Sequence, residues 1–244
     1  MDLSACQPSP TFNATRRSTQ SEVLDGAVDT AELAKILHDL ARLNGAMMGH
    51  WPLLRWLDRA IEDIPVEQPL TFVDIGCGYG DLLRAVRRLA RKHRRTMKLI
   101  GIDLNPQVID VAQSATAVAD DIEYQAVDIF EFEPSAPIDF VATSLVTHHL
   151  PDESILRFLR WMEASAGRGW IICDLQRSWV PFYFIPVVGK LLGTHPVVIH
   201  DGRVSVARSL TRSEWKMLIT RANISSRAAQ LRWFMFRFAI GRLK

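Results

Sequence analysis

The octapeptide Val73-Asp74-Ile75-Gly76-Cys77-Gly78-Tyr79-Gly80 constrains the fold of this chain more than any other segment. An apolar run from Leu70 to Ile75 leads into it. From Asp81 to His93 the pattern switches to a helical period, with Leu82, Val86 and Leu89 on one face. Strand, glycine turn and helix follow one another. Glycines at alternate positions let the backbone pass close to a bound group, and the helix beyond offers free N–H groups at its start. The alternation continues, with strands predicted over 98–103, 122–128, 138–144 and 170–175 and helices over 106–115 and 152–164. A half-exposed antiparallel pair is predicted over 225–232 and 234–240. The fold class is therefore α/β and Rossmann-like: a mostly parallel seven-stranded sheet, covered on both faces, with an antiparallel C-terminal strand.

The flanks divide the chain further. Residues 1–30 are rich in Ser, Thr, Pro, Asp and Gln and read as a flexible tail, leaving 31–244 as one domain. Leu33, Ile36, Leu37, Leu40 and Leu43 predict a helix over 31–44, closed at Gly45. A second helix over 52–61 completes a cap over 31–65. The stretch 176–209, with its aromatics and prolines, is expected to be a lid inserted after the fifth strand. Thr211 and Glu214 then form a capping box opening a helix over 211–222, at the start of a C-terminal unit over 210–244.

Composition excludes several classes. The formal charge of +2 gives no strong steering toward polyanions. Cys6, Cys77 and Cys173 are far apart and form no CxxC pair, so neither a disulfide framework nor a zinc site is expected. The set of expected metal ligands is empty. The apolar run Val180 to Gly189 is well short of the roughly 20 residues that cross a bilayer, so no membrane span is expected. With no signal-peptide pattern at the start, a cytoplasmic location is expected.

The turn also discriminates between ligands. Asp81 occupies the position where a dinucleotide fingerprint would place its last glycine, which argues against NAD. Asp74, opening the turn, suits an ammonium group and repels a pyrophosphate. Asp103 ends the next strand, where a carboxylate can accept both ribose hydroxyls. An amino acid joined to a nucleoside satisfies both carboxylates.

Over roughly residues 70–175 the sequence resembles the class I S-adenosylmethionine-dependent methyltransferase superfamily, its first motif matching Asp74, Gly76, Cys77, Gly78 and Gly80. The resemblance implies that Asp103, with Leu104 beside it, binds the ribose. Asp128 and Ile129 would meet the adenine, and Ser144 to His148, with Ser144 and Leu145 foremost, on a fourth-strand motif running to Leu150, would line the methionine and methyl end. S-adenosyl-L-methionine is then the cofactor and S-adenosyl-L-homocysteine the product. The segment His200-Asp201-Gly202 to Trp215 looks like stand-alone bacterial small-molecule methyltransferases of the quinone and polyketide-tailoring type.

The expected reaction is O-methylation of a small, largely apolar or aromatic acceptor. Trp179, Phe182, Tyr183, Phe184, Ile185, Val187 and Val188 of the lid, with Met47, Met48, Trp51 and Trp56 of the cap, would enclose it. Removing a proton from an alcohol calls for a base, and His148 and His200, the latter beside Asp201, are the catalytic candidates. His149, Asp174, Tyr183 and Arg208 are the candidate substrate contacts. Carbon or nitrogen methylation stands as the alternative. The basic face from Arg84 to Lys98 raises a nucleic-acid substrate, which its place on the flank of the sheet disfavours. A non-catalytic scaffold is the last rival. Oligomeric state is left open.

Overall fold

The computed structural model describes residues 8–225 and 229–244. Its seven-stranded sheet has the order β3-β2-β1-β4-β5-β7-β6. The strands are β1 (Leu70–Ile75), β2 (Met97–Asp103), β3 (Ile122–Ala126), β4 (Ile138–Ser144), β5 (Ala166–Leu175), β6 (Gln230–Phe234) and β7 (Arg237–Leu243). The first five run parallel. β7 is antiparallel to β5, and β6 to β7. β1, β4 and β5 are buried on both faces and carry near-continuous apolar sequence, as strands packed under helices on both sides must.

Among the described residues eight α-helices surround the sheet: α1 (Thr30–Ala46), α2 (Trp51–Ala60), α3 (Asp81–Lys92), α4 (Pro106–Ser114), α5 (Asp152–Ser165), α6 (Trp179–Leu191), α7 (Pro196–Arg208) and α8 (Arg212–Arg221). Local chemistry sets their starts. The Asn105 side chain accepts from Gln107 N–H and Pro106 supplies the first helical φ of α4. The Thr211–Glu214 box opens α8 with both reciprocal bonds made. One core packs α5 and α8 against the sheet around Trp170 and Trp215; a second packs α2 and α3 around Phe72 and Phe140. The basic residues of α3 and of the turn after it mostly serve local structure. Arg87 and Arg91 bond carbonyls of Ala119, Asp120 and Asp121, and buried Arg95 donates to carbonyls of Ile61, Ile64 and Pro65.

Three expectations change. The segment expected as a tail packs from Pro8 onward; residues 1–7, with Cys6, lie outside the described residues. Ser18 N–H donates to Ala207 O, Arg17 donates to the carbonyls of His148, Leu150 and Arg208, and residues Val23–Asp25 form a 3₁₀ turn whose Val23 and Leu24 N–H groups donate to Asp201. Polar composition concealed this because the partners are backbone carbonyls and one carboxylate far away in sequence. The stretch 176–209 is the helical pair α6–α7, with Pro181 in the first turn of α6, where a missing N–H costs nothing, and only Pro186 inside it. Together with α1 it forms a third core, around Ile36, Phe182 and Val198.

The C-terminal pair is shifted as well. Its turn is Met235-Phe236, both at positive φ (36° and 67°), and no Gly or Asn marks it in the sequence. Phe234 therefore ends β6 instead of opening β7, and β7 is a buried inner strand while β6 alone forms the edge. Part of the strand expected over 225–232 falls on 226–228, outside the described residues.

Candidate active site

The strand order reverses between β1 and β4, and a cleft opens there at the carboxyl ends of the strands, the place where open α/β sheets bind ligands. It encloses about 670 Å³ and is lined by the β1–α3 turn, the ends of β2 and β4, and one face of α1. Gly76, Gly78 and Gly80 all have positive φ (68°, 50° and 73°). At Gly76 a Cβ would lie 2.3 Å from Val146 Cγ2, so only glycine brings the turn this close to the segment after β4. Gly76 and Cys77 N–H both donate to Ile102 O, tying the turn to β2.

Asp74 lies at the floor of the cleft, 2% exposed, and its Oδ1 has no hydrogen-bond partner among the described residues. Burial, and then the charges of Asp81 and Asp103, push its carboxyl well above the usual range. Asp103 accepts from Gly78 N–H at 3.2 Å and Asn105 N–H at 3.1 Å; burial raises its carboxyl too. Asp128 accepts from Phe130 N–H at 2.8 Å, and Ile129 adjoins it on the cleft wall. Leu104, Ser144 and Leu145 complete the lining, Ser144 Oγ being buried without a partner among the described residues and Leu145 standing at φ 61°. Ten of the eleven residues expected at the cofactor, Cys77 included, therefore line this one cavity; Gly80, the residue before α3, faces the Tyr124 hydroxyl instead.

The expected catalytic and acceptor residues divide differently. His148 does not line the cleft. It is 3% exposed behind the 3₁₀ turn Thr147–His149, with Nδ1 2.8 Å from Asp174 Oδ1 and Nε2 3.5 Å from Glu22 Oε1. Burial alone would depress this imidazole, but Asp174 and Glu22 outweigh it and hold its pKa at about 9. Asp174 is buried beneath it and accepts from Thr147 Oγ1, His148 N–H and Leu175 N–H. It is a support, out of reach of a ligand in the cleft.

His200 is likewise buried in α7, 2.9 Å from Asp201 and 3.3 Å from Pro8 O, where it helps seat the N-terminal segment. Tyr183 is 59% exposed on the outer face of α6, stacked on Trp179. Arg208 pairs with Asp25 at 2.7 Å and donates to His149 O, holding the rim without lining the cavity. The lid and cap aromatics also fail to enclose the cleft. Phe182, Ile185 and Met47 are core residues; Trp179, Phe184, Val187, Met48 and Trp51 face outward. Helical period, invisible through the prolines of α6, turned one face inward and the other to solvent.

His149 does line the cleft, with Nδ1 3.2 Å from Asp25 Oδ1. Sequence reasoning missed Asp25 and Leu24 beside it, Leu37 and Leu40 of α1, and the pair His50–Asp81, whose atoms meet at 2.6 Å beside Asp74. The apolar pair Val23-Leu24 between Glu22 and Asp25 was the available signal in a polar segment. His50 had none, since its carboxylate partner is remote in sequence.

A family model described as a methyltransferase domain matches residues 72–169, from β1 into β5. Fold and matched stretch together are similar to methyltransferase domains of the class I, S-adenosylmethionine-dependent kind. Among curated proteins the chain is similar to trans-aconitate 2-methyltransferase of Azoarcus sp. (strain BH72), 26% identical over 93 residues, which is 38% of this chain. The aligned part spans about a third of that relative, 34% of its length. Among solved structures it is similar to magnesium protoporphyrin IX methyltransferase of Synechocystis PCC 6803 with bound S-adenosylhomocysteine (TM-score 0.53, 17% identity, 90% of this chain and 89% of that one). It is also similar to human N-acetylserotonin methyltransferase in complex with S-adenosylmethionine (TM-score 0.59, 16% identity, 88% and 56%). A third is a plantazolicin methyltransferase bound to a desmethyl substrate analogue and S-adenosylhomocysteine (TM-score 0.57, 18% identity, 85% and 82%). No helix among the described residues is long and apolar enough to cross a membrane.

Proposed function

We propose that the chain transfers the methyl group of S-adenosylmethionine to a hydroxyl or phenol of a small, largely apolar acceptor. The observation that carries this reading is the unpartnered carboxylate of Asp74 at the floor of the cleft. A buried acceptor without a donor costs about 1–3 kcal/mol. An ammonium group bound there removes that cost, whereas a phosphate meets like charge. Asp103 stands at the end of the neighbouring strand for ribose hydroxyls, and Asp128 with Ile129 borders the space left for adenine. The residues present thus fit the cofactor, which when bound supplies an electrophilic methyl group on a sulfonium.

The chain's own part is positioning. Leu24, Leu37, Leu40 and Val146 give the remaining cleft an apolar wall. Displacement at the methyl is in-line, so holding the acceptor on axis and excluding water are what this wall contributes. His149 and Asp25 are the polar groups at that end, placed to receive the acceptor's proton. Trans-aconitate, porphyrin, N-acetylserotonin and azole-peptide methyltransferases among the relatives support a small-molecule acceptor and leave its identity open.

Calorimetric titration with S-adenosylmethionine, S-adenosylhomocysteine and NAD tests the cofactor. The first two should bind and NAD should not; binding of NAD alone overturns the reading. Asp103→Ala should weaken the cofactor by about 1–3 kcal/mol, roughly 5- to 150-fold, while leaving the thermal midpoint near wild type. Wild-type affinity in that variant refutes the ribose assignment. With an active acceptor in hand, His149→Ala should lower turnover by about 10²–10⁴ with cofactor affinity retained, whereas His200→Ala should not.

A further inference from the structure

We propose that Glu22, His148 and His149 form a binding site for a divalent transition-metal ion at the acceptor end of the cleft. Ligand atoms of the three side chains lie within 4.8 Å of one another. His148 Nε2 is 3.5 Å from Glu22 Oε1 and His149 Nε2 is 3.8 Å from Glu22 Oε2. Both distances exceed a hydrogen bond between such atoms. They approach the separation of two ligands sharing one cation, about 3.3 Å for tetrahedral bonds of about 2.0–2.1 Å.

The outer contacts strengthen the case. Each histidine has its other ring nitrogen against a carboxylate: His148 Nδ1 on Asp174 at 2.8 Å and His149 Nδ1 on Asp25 at 3.2 Å. Ser205 Oγ donates to Glu22 Oε1 at 2.8 Å. Carboxylates behind Nδ1 orient each ring with Nε2 toward Glu22, the arrangement that supports metal-bound histidines, and an ion binding there would displace the Nε2 proton of His148. The two imidazole centroids are 4.3 Å apart with the rings tilted by 37°, and Glu22 and His148 are almost fully buried, so the site is built and not a surface cluster.

Charge agrees in sign. Glu22, Asp25 and Asp174 surround the pair of imidazoles, and Asp201 lies beyond Glu22, held by His200. The nearest cation is Arg208, committed to Asp25 at 2.7 Å and 3.9 Å from Glu22; Arg17 is taken up by Asp152. The surplus is negative. Two imidazole nitrogens and one carboxylate suit zinc and its neighbours over magnesium or calcium. Positions on the side of His149 open to the cleft, where an acceptor oxygen could complete the coordination. The ligands come from two segments far apart in the chain, which is why cysteine spacing gave no hint of them.

The site shares His149 and Asp25 with the methyl-transfer reading, but its test needs no turnover. Full-length protein stripped with a chelator is titrated with ZnCl₂ by calorimetry and with CoCl₂ by visible absorption. One equivalent should bind, and bound cobalt should show the ligand-field bands of a low-symmetry nitrogen–oxygen site. Asp25→Asn, at a half-exposed outer position, should weaken binding about 10- to 100-fold. Glu22→Gln and His149→Ala should weaken it further, and His93→Ala should not change it. No binding by the stripped protein overturns the proposal, as does binding that survives Glu22→Gln and His149→Ala in folded protein. Titration of the same variants with S-adenosylmethionine keeps a failure of the cofactor reading distinct from a failure of the metal site.

Discussion

Asp74→Asn is expected to stabilise the protein while reducing its affinity for S-adenosylmethionine by at least about 30-fold. The two effects have one cause. In the free protein the carboxylate is buried, unpartnered at Oδ1 and near the charges of Asp81 and Asp103, so its ionised form is disfavoured. The folded state therefore holds the Asp74 proton more tightly than the unfolded chain does. A group whose folded pKa is raised costs stability as pH rises from the unfolded carboxylate value, about 3.9, through the folded value. The neutral amide of Asn removes that slope and relieves on the order of 1–3 kcal/mol at neutral pH.

The cofactor reverses the balance. An ammonium paired with Asp74 is a buried charge-assisted contact, and losing such a contact costs about 2–5 kcal/mol, equivalent to 30-fold or more in affinity. Wild-type affinity should also rise with pH through the Asp74 titration, since only the ionised carboxylate attracts the ammonium, and Asp74→Asn should flatten that dependence. Thermal unfolding and calorimetry on the two proteins across pH 5–8 measure both. A variant less stable than wild type, or one that binds the cofactor unchanged, removes Asp74 from the site.

Asp174→Ala carries the largest expected loss of stability. Asp174 is fully buried and accepts from the Thr147 hydroxyl, from His148 N–H and Leu175 N–H, and from the His148 ring. Burial opposes its charge, but His148 prevails and holds its pKa down at about 2. Deleting one member of a buried, hydrogen-bonded ion pair strands the other, at about 3–5 kcal/mol. For a chain of this length that lowers Tm by roughly 6–20 °C. Asp174→Asn, which keeps an acceptor for Thr147 and His148 N–H, should recover part of the loss. A fall below about 1 kcal/mol in Asp174→Ala would mean that the Thr147–His148–Asp174 cluster does not hold the segment after β4 in place.

Much of the proposed cofactor half of the site was legible because its determinants are local. Glycines at alternate positions, an acid opening the turn and an acid ending the next strand are read along one βαβ unit, and a parallel sheet brings consecutive strand ends together by topology alone. The acceptor half was not legible in this way. It was read from residue type: histidines near β4, aromatics in 176–209. Yet neighbours in sequence have opposite fates there. His148 turns inward onto Asp174, while His149 faces the cleft. On a short 3₁₀ turn adjacent side chains diverge, and no pattern in the sequence says which of two histidines is buried.

By itself, then, the sequence determined the α/β class, β1 and β4 to the residue, the capping box that opens α8, and the carboxylates and glycines gathered at the switch between β1 and β4. Each of these follows from periodicity, φ freedom or a cap within a few residues. Only the tertiary structure decided that residues 8–29 wrap back over α7, that Glu22 and Asp25 reach His148 and His149, that His50 meets Asp81, and that the aromatic face of α6 points away from the cleft. Those contacts join residues 31 to more than 190 positions apart. They form because buried carboxylates, imidazoles and backbone carbonyls must find partners wherever the packed chain supplies them.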